Sequence, residues 1–408
     1  MQKTEGGVTA AKGFFAASVA AGIKYQGRQD MAMVYSEVPC VVSGTFTTNV
    51  VKAAPVLWDK WITQEKQIAQ AVVINAGIAN ACTGETGYQY CLETAKAAQE
   101  VLEVPYDSVL VASTGVIGKQ LPIEKIKAGT KALTEKLSDS IKAGTDAAKA
   151  IMTTDTKKKE IAVSMTIGGK TVTLGGMCKG SGMIHPNMCT MLGFITTDVN
   201  ISKELLDLAL KTDVQDTYNM VSVDGDTSTN DTVLLLANGL AGNEKITSAD
   251  SEDFKIFTEA LHYVNEYLAK RIAEDGEGAT KLFTAKVIHA SGKEAAKKLA
   301  KSVITSSLTK AAVYGNDANW GRILCALGYS GETFDPYKVD ITITDGTDSL
   351  MLVKNGMATD YSEEFATKIL GGSEVTAIAD MKDGDAQAVA WGCDLTYDYV
   401  KINADYRS

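Results

Sequence analysis

The stretch KGSGMIHPNMCTMLGFITTD, Lys179–Asp198, decides how the chain is read. Its front half is loop: Gly180 and Gly182 permit backbone conformations closed to other residues, and Pro186 and Asn187 favour a turn. Its back half, Met191–Thr197, has the apolar and β-branched composition of a largely buried strand. Thr190 stands at the junction. A hydroxyl at the mouth of a strand is fixed by the strand, while a glycine-rich approach leaves room for a substrate. That makes Thr190 a candidate nucleophile; the plainer alternative is a buried threonine capping a strand.

Upstream, Ile161, Val163, Met165 and Ile167 alternate with smaller or polar residues as far as Gly168-Gly169, and Val172 and Leu174 then resume the alternation. This predicts a β-hairpin with a two-residue turn whose second arm feeds into Lys179. Gln70–Asn75 reads as a buried strand, and Tyr88, Cys91, Leu92, Ala95, Ala98 and Leu102 recur at helical spacing until Pro105. Val109–Ala112 is a further strand that delivers Ser113, Thr114 and Gly115 at its end, where a backbone N–H can point into a cleft or the chain can simply turn. Downstream, Thr232–Ala237 predicts a buried strand, and Phe254, Phe257, Leu261, Val264, Leu268 and Ile272 a long amphipathic helix ending near Gly276. Ser291 and Glu294 form a capping-box signature ahead of a helix with Ala295, Leu299 and Val303 inward. Val339, Ile341 and Ile343 alternate with polar residues as a half-exposed strand. No repeat or proline-rich linker marks an independent module. Strands separated by helices, through hairpin and non-hairpin connections alike, indicate an α+β fold of mixed α/β layers.

Composition narrows the function. The 408 residues are 45% hydrophobic and 22% charged, ordinary globular material, and the net charge of −10 argues against a general affinity for nucleic acid or anionic membranes. The lysines at Lys157–Lys159, with Asp155 and Glu160 beside them, read as a solvated turn. Seven cysteines without a CxxC pair suit free thiols in a reducing compartment. The short apolar run Phe14–Ile23 lacks a strong positive front and is broken by Ser18, and no stretch is long enough to span a membrane, so cytoplasmic residence is expected. Asp224, Asp226 and Ser228 begin like a calcium loop, but Thr229 and Leu235 replace its turn glycine and terminal glutamate. Ala11-Lys12-Gly13 is not a phosphate loop. His185, His262 and His289 have no metal-ligand spacing, so no metal site is expected; His262 reads as structural and His289 as a strand end.

The Lys179–Asp198 stretch and nine further runs resemble one family, in its order: GVTAAKGF (Gly7–Phe14), FTTN (Phe46–Asn49), NAGIANACTG (Asn75–Gly84), STGVIG (Ser113–Gly118), IMTTDT (Ile151–Thr156), VDGDTSTND (Val223–Asp231), GEGATK (Gly276–Lys281), GNDANWGRI (Gly315–Ile323) and the tail NADYRS. The family is the bacterial ornithine acetyltransferases, also called bifunctional arginine biosynthesis proteins. Its precursors cut themselves before a threonine, which becomes the new N-terminus and nucleophile. The resemblance implies a scissile bond Cys189–Thr190, an α chain of residues 1–189 and a β chain of 190–408, intertwined in one catalytic unit of N-terminal-nucleophile-like fold and assembled as an α2β2 heterotetramer. It implies an oxyanion hole at Thr114 and Gly115, and substrate contacts at Thr153, Lys179, Thr190, Glu277, Asn403 and Ser408. The reaction implied moves acetyl from N2-acetylornithine to glutamate, with these amino acids as small-molecule partners, no nucleic acid or membrane partner and no cofactor, acetyl-CoA being a co-substrate in some members.

The chain departs from the family pattern at Cys189, where alanine is usual, at His185, usually small, at Ala11, often proline, and at Ser408, usually threonine. Serine keeps the hydroxyl, and cysteine is small enough to preserve cleavage. His185 is either a chance loop residue or one that tunes a proton near the nucleophile. Two other functions stay open on sequence: a self-processed aminopeptidase or amidase that gives acyl groups to water, and an uncleaved relative that binds amino acids.

Overall fold

The computed structural model describes residues 1–185 and 191–405. They form two compact units, one of Met1–Gly180, Pro186–Asn219 and Thr227–Leu268, the other of Ser181–His185, Met220–Asp226 and Ala269–Ser408. Each unit draws chain from both sides of position 189, so the two units are not the expected cleavage fragments.

In the first unit, among the described residues, nine strands share one mixed sheet. They are β1 (Gln2–Thr4), β2 (Phe14–Val19), β3 (Met31–Phe46), β4 (Ile68–Ile78), β5 (Val109–Val116), β6 (Lys159–Ile167), β7 (Lys170–Lys179), β8 (Leu192–Thr197) and β9 (Thr232–Ala237). The order is β1-β6-β7-β8-β9-β3-β4-β5, with β2 paired to β3. Two pairs are parallel, β4 with β5 and β8 with β9. Parallel neighbours need a crossover; α2 (Gly84–Leu102) joins the first pair and α5 (Lys203–Val214) the second, with α1 (Ala54–Trp61) before them in sequence and α3 (Ile123–Thr134) and α4 (Ile141–Ala150) between them. The helical spacing from Tyr88 onward was the right sign, since Cys91, Ala95 and Ala98 are its fully buried stripe against Val72, Ile74, Val109 and Leu110. The β6–β7 hairpin turns at Gly168-Gly169 with Ile167 opposite Lys170, as expected. Of the run Phe14–Ile23 that imitates a signal core, Phe14–Val19 forms the buried strand β2, which pairs with β3. α6 (Glu252–Glu274) is the predicted long helix; its Leu268 carbonyl lies 3.8 Å from Cys178 Sγ on β7.

In the second unit, the six-stranded sheet has the order β13-β12-β11-β14-β10-β15, its strands being β10 (Leu282–Ala290), β11 (Asp340–Thr344), β12 (Ser349–Lys354), β13 (Met357–Ala358), β14 (Glu374–Asp380) and β15 (Ala386–Cys393). Its helices are α7 (Lys293–Thr305), α8 (Ser307–Tyr314), α9 (Trp320–Gly328), α10 (Glu363–Leu370) and α11 (Tyr397–Ala404). α7 buries Ala296, Leu299, Ala300, Val303 and Ile304 and packs on β10 and β15.

Two local expectations fail. The N-cap of α7 is Gly292, and no side chain caps it; this puts Glu294 one position too early for the capping box proposed with Ser291. Lys159 is not in a solvated turn but opens β6, and its side chain is 1% exposed. The six described cysteines are free thiols. Among the described residues no helix is long and apolar enough to cross a membrane.

Truncating the α7 stripe tests this core. Leu299→Ala should cost about 2–5 kcal/mol in urea unfolding, while Leu308→Ala on α8, 63% exposed, should stay within about 0.5 kcal/mol of wild type.

Candidate active site

In the first unit, two of the predicted substrate contacts meet at a residue the sequence reading passed over. Asp155 has no exposed side-chain surface. One of its oxygens accepts the Lys159 ammonium at 2.7 Å and the Gly180 N–H at 2.7 Å. The other accepts the Thr153 N–H at 3.0 Å and lies 4.0 Å from Lys179 Nζ. Burial works against the charge, yet the Lys179 and Lys159 ammonium groups outweigh it and hold the carboxyl well below its usual range. Asp155 thus holds Thr153, Lys179 and the first residue of the cleavage loop. Beyond the loop, Leu192 pairs with Lys179, and the Met191 carbonyl accepts the Thr232 N–H at 3.0 Å. The strand that follows Thr190 is therefore anchored from its first described residue.

Thr114 and Gly115 lie within β5, which runs past the Ala112 end predicted for it. Gly115 has φ +128°, and a Cβ there would sit 2.2 Å from the Gly77 carbonyl carbon and 2.6 Å from Ile78 N. Only glycine fits so close to β4. Two buried amides clamp this edge. Asn75 accepts from Ser113 Oγ at 2.6 Å and donates to the Ile78 carbonyl at 2.9 Å. Asn230 donates to the Ala79 and Ser113 carbonyls at 2.6 and 2.8 Å, and Thr229 Oγ donates to its amide oxygen. Asn230 belongs to the run VDGDTSTND, whose role was not evident from its spacing.

In the second unit, Glu277 and Asn403 meet as a hydrogen-bonded pair, Nδ2 donating to Oε2 at 2.8 Å. The Glu277 N–H donates to the Ser181 carbonyl at 2.9 Å, and a Cβ on Gly182 would lie 2.2 Å from the Glu277 carboxyl carbon. Asp224 accepts the Met183 and Ile184 N–H groups at 2.6 and 2.8 Å, and the Val223 N–H reaches the Ile184 carbonyl at 2.7 Å. The aspartate that begins like a calcium loop is thus a clasp for Ser181–His185. Among the described residues no cluster of His, Cys, Asp or Glu is set to hold a metal. His185 Nδ1 lies 3.1 Å from Ser222 Oγ. Burial, with Lys301 adding to it, pushes this imidazole down to about 4, so it is neutral at neutral pH. In the first unit, His262 is tied to Asp213 at 2.6 Å, joining α6 to α5. Cys189, Thr190 and Ser408 lie outside the described residues.

Asp155→Asn leaves Lys159 buried without its counter-charge and should cost about 3–5 kcal/mol in urea unfolding. Because the folded carboxyl titrates below its unfolded value of about 3.9, that deficit should be the same at pH 7 and 5 and shrink only in stronger acid. His185 acts in the same sense but in a higher pH window. Its folded value of about 4 lies below the unfolded value of about 6.5, so unfolding takes up a proton between them and stability falls as pH drops through that window. His185→Asn should flatten this fall when unfolding is compared at neutral pH and near pH 4.

Residues 15–408 match the model of the ArgJ family. The chain is 53% identical over 397 residues to arginine biosynthesis bifunctional protein ArgJ 1 of Clostridium acetobutylicum, covering 97% of this chain and 96% of that one. It is 50% identical over 410 residues to the arginine biosynthesis bifunctional protein ArgJ of Symbiobacterium thermophilum, covering both in full. The crystal structure of the arginine biosynthesis bifunctional protein argJ from Bacillus halodurans aligns at 46% identity and TM-score 0.50, over 52% of this chain and 97% of that one. The chain belongs to the ArgJ family, the bifunctional ornithine acetyltransferases and glutamate N-acetyltransferases of arginine biosynthesis.

Proposed function

We propose that this protein is a self-processing acetyltransferase that moves acetyl from N2-acetyl-L-ornithine to L-glutamate through an acetyl-Thr190 intermediate. The observation that carries this is the half-identical match, across nearly the whole of both chains, with bifunctional proteins of arginine biosynthesis. The convergence of Thr153 and Lys179 on Asp155, and of Asn403 on Glu277, supports the roles given to those residues.

An uncut Thr190 has no base in its sequence neighbourhood nearer than His185. In the first step Thr190 Oγ attacks the Cys189 carbonyl, the acyl group shifts from nitrogen to oxygen, and water hydrolyses the ester. The freed α-amino group has an ordinary pKa of about 7.7–8.0, close to where a general base works best. The solved ArgJ chain from Bacillus halodurans spans 97% of its own length in matching 52% of this chain, as expected of a fragment cut near the middle.

In the transfer cycle the Thr190 amine takes the hydroxyl proton as Oγ attacks the acetyl carbonyl. The Thr114 hydroxyl and the Gly115 N–H donate to the developing oxyanion, each worth on the order of 3–4 kcal/mol in such sites. The amide C–N bond breaks, ornithine leaves with the proton, and acetyl remains on Thr190. The glutamate amine then attacks this ester and carries acetyl away. Lys179 receives the α-carboxylate common to both amino acids, Glu277 the ornithine ammonium, and Asn403 and Ser408 make further substrate contacts. Acyl transfer among an amide, a hydroxyl and an amine requires no cofactor, and acetyl-CoA serves as an alternative donor through the same ester. The processed α and β chains assemble as an α2β2 heterotetramer in the cytoplasm.

Intact-mass analysis of the purified protein beside Thr190→Ala tests the first step. Fragments of 189 and 219 residues are expected from the wild type, and one uncut 408-residue chain from the variant. An uncut wild type would overturn the mechanism, and acetyl release that proceeds equally with and without glutamate would point to a hydrolase instead.

A further inference from the structure

Glutamate carries two carboxylates where N2-acetylornithine carries one. On the reading above, Lys179 serves the carboxylate that both share and Glu277 the ornithine side chain. The acceptor's second carboxylate therefore needs a cation that the predicted set lacks.

The loop between β2 and β3, in the first unit, holds one. The buried Asp30 carboxylate closes this loop by accepting the Ala21 and Ile23 N–H groups at 2.7 and 2.6 Å. The loop then lies on the turn at the end of β4: a Cβ on Gly77 would sit 2.8 Å from Lys24 Cβ and 3.4 Å from Tyr25 Cε2. Gly77 is also the residue against which Gly115 packs, so Tyr25 and Gly115 both lie against Gly77. The Arg28 guanidinium lies 4.3 Å from the Tyr25 ring centroid and donates from Nη2 to the Met152 carbonyl at 2.5 Å, one residue before Thr153. Lys24 Nζ is 5.9 Å from the centroid of the same ring.

Arg28 is one of four arginines, with Arg271, Arg322 and Arg407, in a chain of 50 acidic residues. Among the described residues it has no carboxylate partner. Its orientation is set by a carbonyl and an aromatic face, and four of its five N–H donors remain for an anion. A planar fork so oriented suits bidentate capture of a carboxylate, which a lysine at the same place would bind as a point charge.

We infer that Arg28, stacked on Tyr25 beside Met152, receives the side-chain carboxylate of the acceptor glutamate and sets the acceptor specificity of the second half-reaction. This rests on the acetyltransferase reading. Ornithine, whose side chain is cationic, is repelled from the same position, which favours departure of the first product before the acceptor binds.

The test compares glutamate with glutamine as acceptors at saturating N2-acetylornithine, in the processed wild type, Arg28→Gln and Arg28→Lys. Arg28→Gln should reduce the preference for glutamate at least about tenfold, mainly through the KM for glutamate, and Arg28→Lys should recover part of it. The ratio of the two acceptors does not depend on how much of a variant is folded. An unchanged preference in Arg28→Gln overturns the inference while leaving the acetyltransferase reading intact. A wild type that releases no ornithine from N2-acetylornithine overturns both.

Discussion

The Asp155 carboxylate is the constraint on which the cleavage-loop end of the first unit depends. A charge with no solvent contact is strongly unfavourable unless oppositely charged and hydrogen-bonding groups surround it. Here Lys159, Lys179 and the N–H groups of Thr153 and Gly180 do so. In the hairpin register Lys159 stands opposite Cys178, so the ion cluster closes the open end of β6 and β7. A residue with no part in the chemistry thereby fixes the backbone from which the loop departs and the ammonium assigned to substrate. Removing one member would strand the others, so the cluster behaves as a unit.

The second unit holds its share of the cleavage loop by different means. Ser181–His185 makes no strand, although Ile184 is buried, so its backbone groups need partners elsewhere. Asp224, Glu277 and Val223 supply them. The contrast with β8, six residues that are all buried, is instructive. Apolar burial holds a strand as a whole, whereas hydrogen bonds to named N–H groups define where each peptide of a loop lies.

The sequence was most legible where a period is long and uninterrupted. The stripe beginning at Tyr88, the alternation through Ile167 and the run at Thr232–Ala237 all became the elements expected of them. It was least legible where a polar residue shares the parity of an apolar face. Lys159 is in phase with Ile161, Val163, Met165 and Ile167, and extending that strand by two residues turns the lysine inward. Its charge suggested solvent, but its position in the alternation was the better guide. The capping box failed for a similar reason: Ser291 and Glu294 have the right spacing, but the helix starts from Gly292, and a box displaced by one residue leaves the cap unmade.

By itself the sequence determined the α+β class, the hairpin leading to Lys179 and the family. Those follow from periodicity and local motifs, which are written along the chain. Only the tertiary structure decided that Asp155, Lys159 and Lys179 share one buried cluster, that Asp224 clasps the loop, that Gly115 must lack a side chain because Gly77 touches it, and that Arg28 stands beside Thr153. Most of these join residues far apart in sequence, and burial gives a carboxylate a meaning that its neighbours along the chain do not carry.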